Sequence, residues 1–336
     1  MKNQINQHIK NLSYHEYANP IKFDNNYIDL RNNNSQYEYQ YSQDKDLIQL
    51  IAKKEGIPPK NILLTAGADN ALHHIAETFL EKNKKVLIPI PSFPRYEFHA
   101  KIMGVKPVFV NIYKKTELEK LNLIKSEISK KNIKLLFLAS PNNPTGESFS
   151  YKNISNFLLE IKKTVVVIDQ ALSGYFDDSL PSLALKFPNV IVVKSFSKLY
   201  NLPGLRIGYI ITSDQFAKFI KKTISPYELS SPSITITKTY LKNLSETNQT
   251  KNVISKSFNY VKNNLKLNFS ATKNSYLLID GGIKIPELYK RLTENRTLTI
   301  DGKNFRGLEK ENTIRIILTD FKAIKRLVKI INFLLN

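Results

Sequence analysis

SFSKLYNLPGLRIGY, residues 195–209, joins two apolar runs of the sequence. The runs 189–193 and 207–211 each predict a buried parallel strand. Lys198 then lies in a loop at the carboxyl end of a strand, where open α/β sheets bind their ligands. A lysine in such a loop can act as a reactive amine, and Arg206, eight positions further on, can bind an anion.

The rest of the chain repeats this alternation of strand and helix. Apolar runs at 62–65, 85–89, 108–110, 134–139 and 165–168 predict strands, and the spacing of apolar residues at 44–55 and 118–129 predicts helices. This order indicates an α/β protein whose large domain has a mostly parallel, seven-stranded-type sheet covered by helices on both faces.

The pattern changes near residue 227. A long helical pattern runs to about residue 265 and is followed by short apolar runs at 276–279 and 313–317 and a closing helix at 321–335. We therefore expect an N-terminal arm, 1–40, that forms part of a small domain, a large domain at 41–245 and a small α+β domain at 246–336.

Composition excludes several classes of site. The 336 residues contain no cysteine, so disulfides and thiolate metal sites are absent, and the five histidines show no metal-ligand spacing. The sequence has neither a signal-peptide core nor a run of about 20 apolar residues that could span a bilayer. We expect a cytoplasmic protein without metal or membrane contacts.

The net charge of +21, from 50 Lys and Arg against 29 Asp and Glu, makes nucleic acid a candidate partner. The lysines are spread through the chain rather than clustered, which favours a compositional bias on solvated surfaces. We therefore expect no nucleic-acid partner and note that the charge also suits anionic small molecules.

Polar or aromatic side chains follow several of the predicted strands. A glycine turn around Gly67, at the start of a helix, directs backbone N–H groups at an anion. Phe93 lies in a loop stiffened by prolines, and Asn143 lies in the turn SPNNPTG, residues 140–146. Asp169 ends a fully apolar strand, where burial of a carboxylate costs several kcal/mol unless it has a partner.

Together these groups indicate a pyridoxal phosphate site. Lys198 supplies an amine, Asp169 a carboxylate for the ring nitrogen, and the Gly67 turn, Ser195 and Arg206 supply contacts for a phosphate. Each group alone is ordinary α/β loop chemistry, but their joint occurrence in this order makes chance improbable.

From about residue 39 to the C-terminus, the sequence resembles the fold type I pyridoxal phosphate-dependent aminotransferases of class I and II. SPNNPTG, the strand ending at Asp169 and SFSKLYNLPGLRIGY carry the resemblance, which is closest to the branch of histidinol-phosphate aminotransferase and threonine-phosphate decarboxylase. It implies a homodimeric transaminase with amino acid and keto acid substrates, including donors with an acidic or phosphorylated side group.

The resemblance also implies residue roles. Lys198 is the Schiff-base lysine and proton carrier, Asp169 partners the ring nitrogen, Asn143 bonds the phenolic oxygen and Phe93 stacks on the ring. Arg315 binds the substrate α-carboxylate. The phosphate contacts are Gly67, Ala68, Asp69, Ser195 and Arg206, with Tyr39 from the partner subunit.

Two positions depart from the family pattern. Leu172 stands where members commonly have a tyrosine that bonds the phenolic oxygen, and Arg306 is the nearest candidate for an arginine that binds a substrate phosphate. Leu172 keeps decarboxylation of a phosphorylated amino acid open as an alternative reaction. With the high positive charge, it also leaves open a basic, non-catalytic binding protein on the same fold.

Overall fold

The seven-stranded sheet predicted from the sequence is present in the computed structural model, which describes residues 4–12, 44–175, 180–270 and 274–335. The strands stand in the order β1-β7-β6-β5-β4-β2-β3. The four neighbouring pairs from β6 to β3, namely β6–β5, β5–β4, β4–β2 and β2–β3, are parallel. Their bounds are β1 Ile62–Thr65, β2 Val86–Ile90, β3 Val108–Asn111, β4 Leu135–Ala139, β5 Val165–Asp169, β6 Val190–Ser195 and β7 Gly208–Thr212.

One strand runs against the prediction. β7, expected to be parallel, is antiparallel to both of its neighbours, β6 and β1. The connection 196–207 holds only a 3-10 turn at Pro203–Leu205 and no α-helix. A parallel return usually runs through a crossover helix, and this connection provides none.

Helices cover both faces of the sheet, as the sequence predicts. Alternate residues of β5 enter two different cores: Val166 and Ile168 belong to one cluster and Val165 and Val167 to the other. This alternation explains why the strand is apolar throughout. The helices are α1 Gln7–Asn11, α2 Asp44–Glu55, α3 Ala68–Phe79, α4 Arg95–Ile102, α5 Glu117–Lys131, α6 Tyr151–Glu160, α7 Leu183–Lys186 and α8 Asp214–Ile220.

A second, four-stranded antiparallel sheet forms after the helical segment, in the order β10-β11-β9-β8. The predicted long helix is broken near Asn243 into two. The helix α12 packs on α10 through Ile324, Leu327, Val328 and Ile331, which recur at helical spacing. The elements are α9 Ser231–Lys242, α10 Ser245–Asn264, β8 Asn268–Phe269, β9 Tyr276–Asp280, α11 Leu288–Glu294, β10 Ile300–Asp301, β11 Thr313–Ile317 and α12 Phe321–Leu334.

The described part of the N-terminal arm packs beside the large sheet and not with the small one. Ile5 and Ile9 are buried in the cluster that contains the apolar face of α3. The backbone N–H of Asn6 donates to the carbonyl of Thr78 at 2.8 Å. Residues 4–12 therefore differ from the expectation for segment 1–40, because their two apolar side chains complete the core under α3.

No helix in the described ranges is long and apolar enough to cross a membrane.

Candidate active site

Strand register brings the predicted site residues to one edge of the large sheet. Ala139 pairs with Asp169 across β4 and β5, Ser195 pairs with Gly208 across β6 and β7, and Gly208 stands opposite Thr65 of β1. The loops that carry Asn143, Lys198 and Gly67 all start within a few residues of this line. The sequence-based expectation that these groups share an edge agrees with the register.

Asp169 is buried at the end of β5 and is held by two donors. Its Oδ1 accepts the backbone N–H of Ala171 at 2.9 Å, and its Oδ2 accepts the hydroxyl of Tyr96 at 2.7 Å. Burial raises the pKa of this carboxyl, while the two hydrogen bonds act in the opposite direction. Within the described ranges no cation forms an ion pair with it, so a protonated ring nitrogen is a suitable partner.

The turn at Gly67 and the side chain of Arg206 lie together and form a surface suited to an anion. Gly67 has φ +83°, and a Cβ there would lie 2.7 Å from Nη2 of Arg206. The N–H groups of Ala68 and Asp69, in the first turn of α3, have no intrahelical acceptor. Arg206 is exposed, and its hydrogen bonds go to the carbonyls of Pro203 and Ala66.

Asp69 contributes to this surface through its backbone only. Its carboxylate accepts hydrogen bonds from Arg95, at 2.8 and 2.9 Å, and lies 2.9 Å from Nε2 of His99. Burial acts to raise the pKa of this carboxyl, but the bonds to His99 and Arg95 outweigh it and hold the pKa well below its usual range. The side chain is therefore an anion directed at α4.

Ser195 is the last residue of β6, and Lys198 lies in the loop that follows. The Ser195 hydroxyl oxygen accepts the N–H of Ser197 at 3.0 Å, and both serines are half-buried. Lys198 is exposed, and its Nζ lies 5.9 Å from the ring centroid of Tyr276 on β9. The amine thus faces a residue of the small sheet.

Asn143 and Arg315 connect the two sheets. Nη1 of Arg315 donates to Oδ1 of Asn143 at 3.0 Å, and the guanidinium carbon lies 4.4 Å from the Tyr276 ring centroid. Burial lowers the pKa of Arg315, and among the described residues its buried Nε has no hydrogen-bond acceptor. An unpaired N–H on a buried cation is suited to an anionic ligand such as a carboxylate.

The other three predicted positions have different outcomes. Arg306 lines a cavity of about 260 Å³ that also reaches Phe93, and it donates two hydrogen bonds of 3.0 Å to Glu97. Leu172 is buried and offers no polar atom. Tyr39 lies outside the described residues.

Two residues important to the site were missed by sequence reasoning. Tyr96 follows the proline-stiffened loop of Phe93 and belongs to no motif, although the buried carboxylate at the end of β5 required a donor. Glu228 lies far away in sequence: its carboxylate accepts the N–H of Ala66 at 2.6 Å and the amide of Asn70 at 2.8 Å, and lies 2.8 Å from Nε2 of His74. It anchors the turn that leads into Gly67, and no local motif announces it.

These residues fit pyridoxal phosphate. The anion surface at Gly67 and Arg206 suits the phosphate, the cation-free Asp169 carboxylate suits a protonated ring nitrogen, and Phe93 lies on the same edge. The unpaired Nε of Arg315 leaves a place for the carboxylate of an amino acid.

Comparison with known proteins agrees with this interpretation. The family model described as "Aminotransferase class I and II" matches residues 15–331. A histidinol-phosphate aminotransferase of Caldanaerobacter subterraneus subsp. tengcongensis is 28% identical over 288 residues, which are 85% of this chain and 81% of that relative.

Two solved structures share the fold. The histidinol-phosphate aminotransferase of Sinorhizobium meliloti, in complex with pyridoxal-5'-phosphate, superposes with a TM-score of 0.77 at 22% identity, covering 88% of this chain and 83% of that one. The L-threonine-O-3-phosphate decarboxylase of Porphyromonas gingivalis gives 0.72 at 24% identity, covering 89% and 90%.

Proposed function

The chain belongs to the class I and II aminotransferase family and is a pyridoxal phosphate-dependent transaminase, and we propose that its amino donor is a phosphorylated amine or amino acid. The name of the relative, histidinol-phosphate aminotransferase, supports a phosphorylated donor. The observation that carries the proposal is that the Lys198 amine and the buried Asp169 carboxylate share one edge of the large sheet, which Arg315 reaches from the small sheet through Asn143. Among the residues that the structure describes, the carboxylate has no cationic partner and the Nε of Arg315 has no acceptor.

The chain's residues would hold the cofactor at several points. Arg206, Ser195 and the N–H groups of the Gly67 turn would bind its phosphate, and Tyr39 of the partner subunit would reach the same phosphate. The Asp169 carboxylate would accept a hydrogen bond from the ring nitrogen and keep that nitrogen protonated. The donor set and charges described above support the assignments of the Gly67 turn, Asp169 and Arg206, and the role of Tyr39 rests on the family resemblance.

Two further residues would hold the cofactor's ring. Phe93 covers the ring face, and the amide of Asn143 donates to the phenolic oxygen. Leu172 cannot share that second task, so Asn143 carries it without help from this position.

The reaction itself needs one mobile proton and one fixed substrate. When bound, pyridoxal phosphate supplies a ring that accepts the electron pair left at the substrate's Cα. Arg315 would bind the α-carboxylate of the amino acid and turn Cα toward Lys198. Nζ of Lys198 would take the proton from Cα as a general base and, as a general acid, deliver it to the C4′ carbon of the cofactor. Arg306 would have to leave Glu97 before it could bind a substrate phosphate.

The proposal includes an assembly. A role for Tyr39 in the neighbouring subunit's site requires a homodimer. We also propose that the enzyme is cytoplasmic. We also propose that the large domain ends near residue 245, between α9 and α10, and that the small domain follows it.

Product analysis tests the reaction. Purified protein with pyridoxal phosphate, histidinol phosphate and 2-oxoglutarate is expected to form glutamate, and Lys198→Ala is expected to abolish this activity. Lys218→Ala, which changes an exposed lysine on α8, is the matched control and should retain it. Release of carbon dioxide from a phosphorylated amino acid, without formation of a keto acid or glutamate, would overturn transamination in favour of decarboxylation.

A further inference from the structure

The Asp169 carboxylate has one oxygen fixed by the backbone and the other by a side chain from a different element. Oδ1 is bound to the N–H of Ala171, which is two residues away, so this contact follows from the local turn. Oδ2 is bound to the hydroxyl of Tyr96, which comes from α4, 73 residues earlier in the chain. The orientation of the carboxylate therefore depends on Tyr96.

Packing fixes the position of the Tyr96 hydroxyl. The side chain is 1% exposed, and its ring stacks on Phe137 of β4 with centroids 5.2 Å apart and planes 4° apart. Phe93, the residue proposed to cover the cofactor ring, meets Tyr96 edge-on at 5.8 Å and 86°. One side chain thus contacts both the group at the ring nitrogen and the group at the ring face.

The hydroxyl is also a permanent donor. Burial, the negative charge of Asp169 and the bond to it raise the pKa of Tyr96 well above its usual value, so the hydroxyl stays protonated. A donor to a buried carboxylate stabilises the anion, and the effect is strong where water is absent. Without this donor, the carboxylate would draw the proton of a bound ring nitrogen closer to its own oxygen. The ring would then withdraw electrons less.

We propose that Tyr96 is a positioning residue for the transamination: its hydroxyl holds the Asp169 carboxylate at the cofactor's ring nitrogen and limits how strongly that carboxylate attracts the nitrogen-bound proton. The proposal rests on the proposed function, because it assumes bound pyridoxal phosphate. It assigns Tyr96 no contact with the substrate.

The test uses Tyr96→Phe, which removes one oxygen and keeps the ring that stacks on Phe137. Tyr209→Phe is the matched control, because Tyr209 is equally buried and donates to another carboxylate, Glu55, at 2.8 Å. The holoenzymes are loaded with pyridoxal phosphate labelled with ¹⁵N in the ring, and the ¹⁵N chemical shift reports where the proton lies.

In Tyr96→Phe the ¹⁵N shift is expected to move toward that of the unprotonated nitrogen. The kcat should fall about 10-fold, since loss of a hydrogen bond to a charged group changes an equilibrium by about that factor or more. The isotope effect of deuterium at Cα should rise, with KM nearly unchanged. Tyr209→Phe should keep the wild-type shift and isotope effect. Site-specific 3-fluorotyrosine at position 96, a stronger donor of similar size, should move the ¹⁵N shift in the opposite direction and does not depend on the folding of the phenylalanine variant.

Failure of the Tyr96 role and failure of the proposed function give different results. If the wild-type protein binds the cofactor but the ¹⁵N shift is the same in Tyr96→Phe and in the fluorotyrosine protein, Tyr96 has no such role and the proposed function is untouched. If the wild-type protein binds no pyridoxal phosphate at all, the proposed function itself fails, and the role of Tyr96 fails with it.

Discussion

Replacement of Arg315 by lysine removes the geometry that the structure gives to this residue and keeps its charge. The guanidinium of Arg315 binds Asn143 through Nη1 at 3.0 Å, lies 4.4 Å from the centroid of the Tyr276 ring and retains an unpaired buried Nε. A guanidinium can hold Asn143 and still offer a second N–H to a carboxylate. An ammonium group at the end of a lysine lacks this planar fork.

The expected loss in kcat/KM of Arg315→Lys follows from these contacts. One hydrogen bond to a charged group is worth about 1.5–3 kcal/mol, and a cation on an aromatic face adds about 0.5–1 kcal/mol. Their combined loss, about 2–4 kcal/mol, corresponds to a fall of about 30- to 1000-fold in kcat/KM for an amino acid donor.

The assay measures kcat/KM of Arg315→Lys with an α-amino acid and with an amine that lacks the carboxylate. The loss is expected for the first donor and absent for the second, because the second makes no contact with Arg315. Arg326→Lys, on the exposed side of α12, controls for the general effect of the substitution. Equal losses for both donors, or a loss of less than about 3-fold, would refute the assigned role of Arg315.

Three further substitutions test the residues that support the site. Gly208→Ala places a Cβ 2.6 Å from the carbonyl carbon of Gly67. We expect weaker cofactor binding and a loss of about 1–3 kcal/mol in the free energy of unfolding. Unchanged cofactor titrations would argue against the close approach of Gly208 to Gly67. Burial raises the pKa of Asp169 in the folded protein, so the free energy of unfolding of the cofactor-free protein should fall as pH rises from about 4 through the raised pKa. In Asp169→Asn, urea unfolding should not show this fall. If the fall persists in Asp169→Asn, Asp169 is not its source. Glu228→Gln removes the charged acceptor of the Ala66 N–H and should cost about 1.5–3 kcal/mol in urea unfolding; wild-type stability would count against the anchor.

Much of the fold could be predicted because the strands are buried on both faces. β4 is apolar along its length, and β5 and β6 are apolar up to Ile168 and Val193. The spacing of apolar residues in α12 gives its buried face directly. The direction of β7 could not be predicted in this way, because hydrophobic periodicity is the same for parallel and antiparallel strands. The absence of a crossover helix between β6 and β7 carried the missing information.

The site was likewise predictable in part, where its residues lie at strand ends, and not where they act through contacts distant in sequence. Asn143, Asp169 and Ser195 could be predicted to lie together because each lies at or just after the end of a strand of one sheet, and register then brings them to the same edge. Tyr96 and Glu228 act through contacts between elements that are distant in sequence, and no motif marks them. The need of a buried carboxylate for a donor predicts that some partner exists without identifying it.

The identity of the reactive amine is the central claim, and chemical trapping tests it most directly. The protein is incubated with pyridoxal phosphate, reduced with borohydride, digested and analysed by mass spectrometry. We expect the visible absorption band to be lost on reduction and the label to be on Lys198. Lys198→Ala should show neither band nor label, and Lys218→Ala should show both. A label on another lysine, or an unchanged band in Lys198→Ala, would contradict this claim.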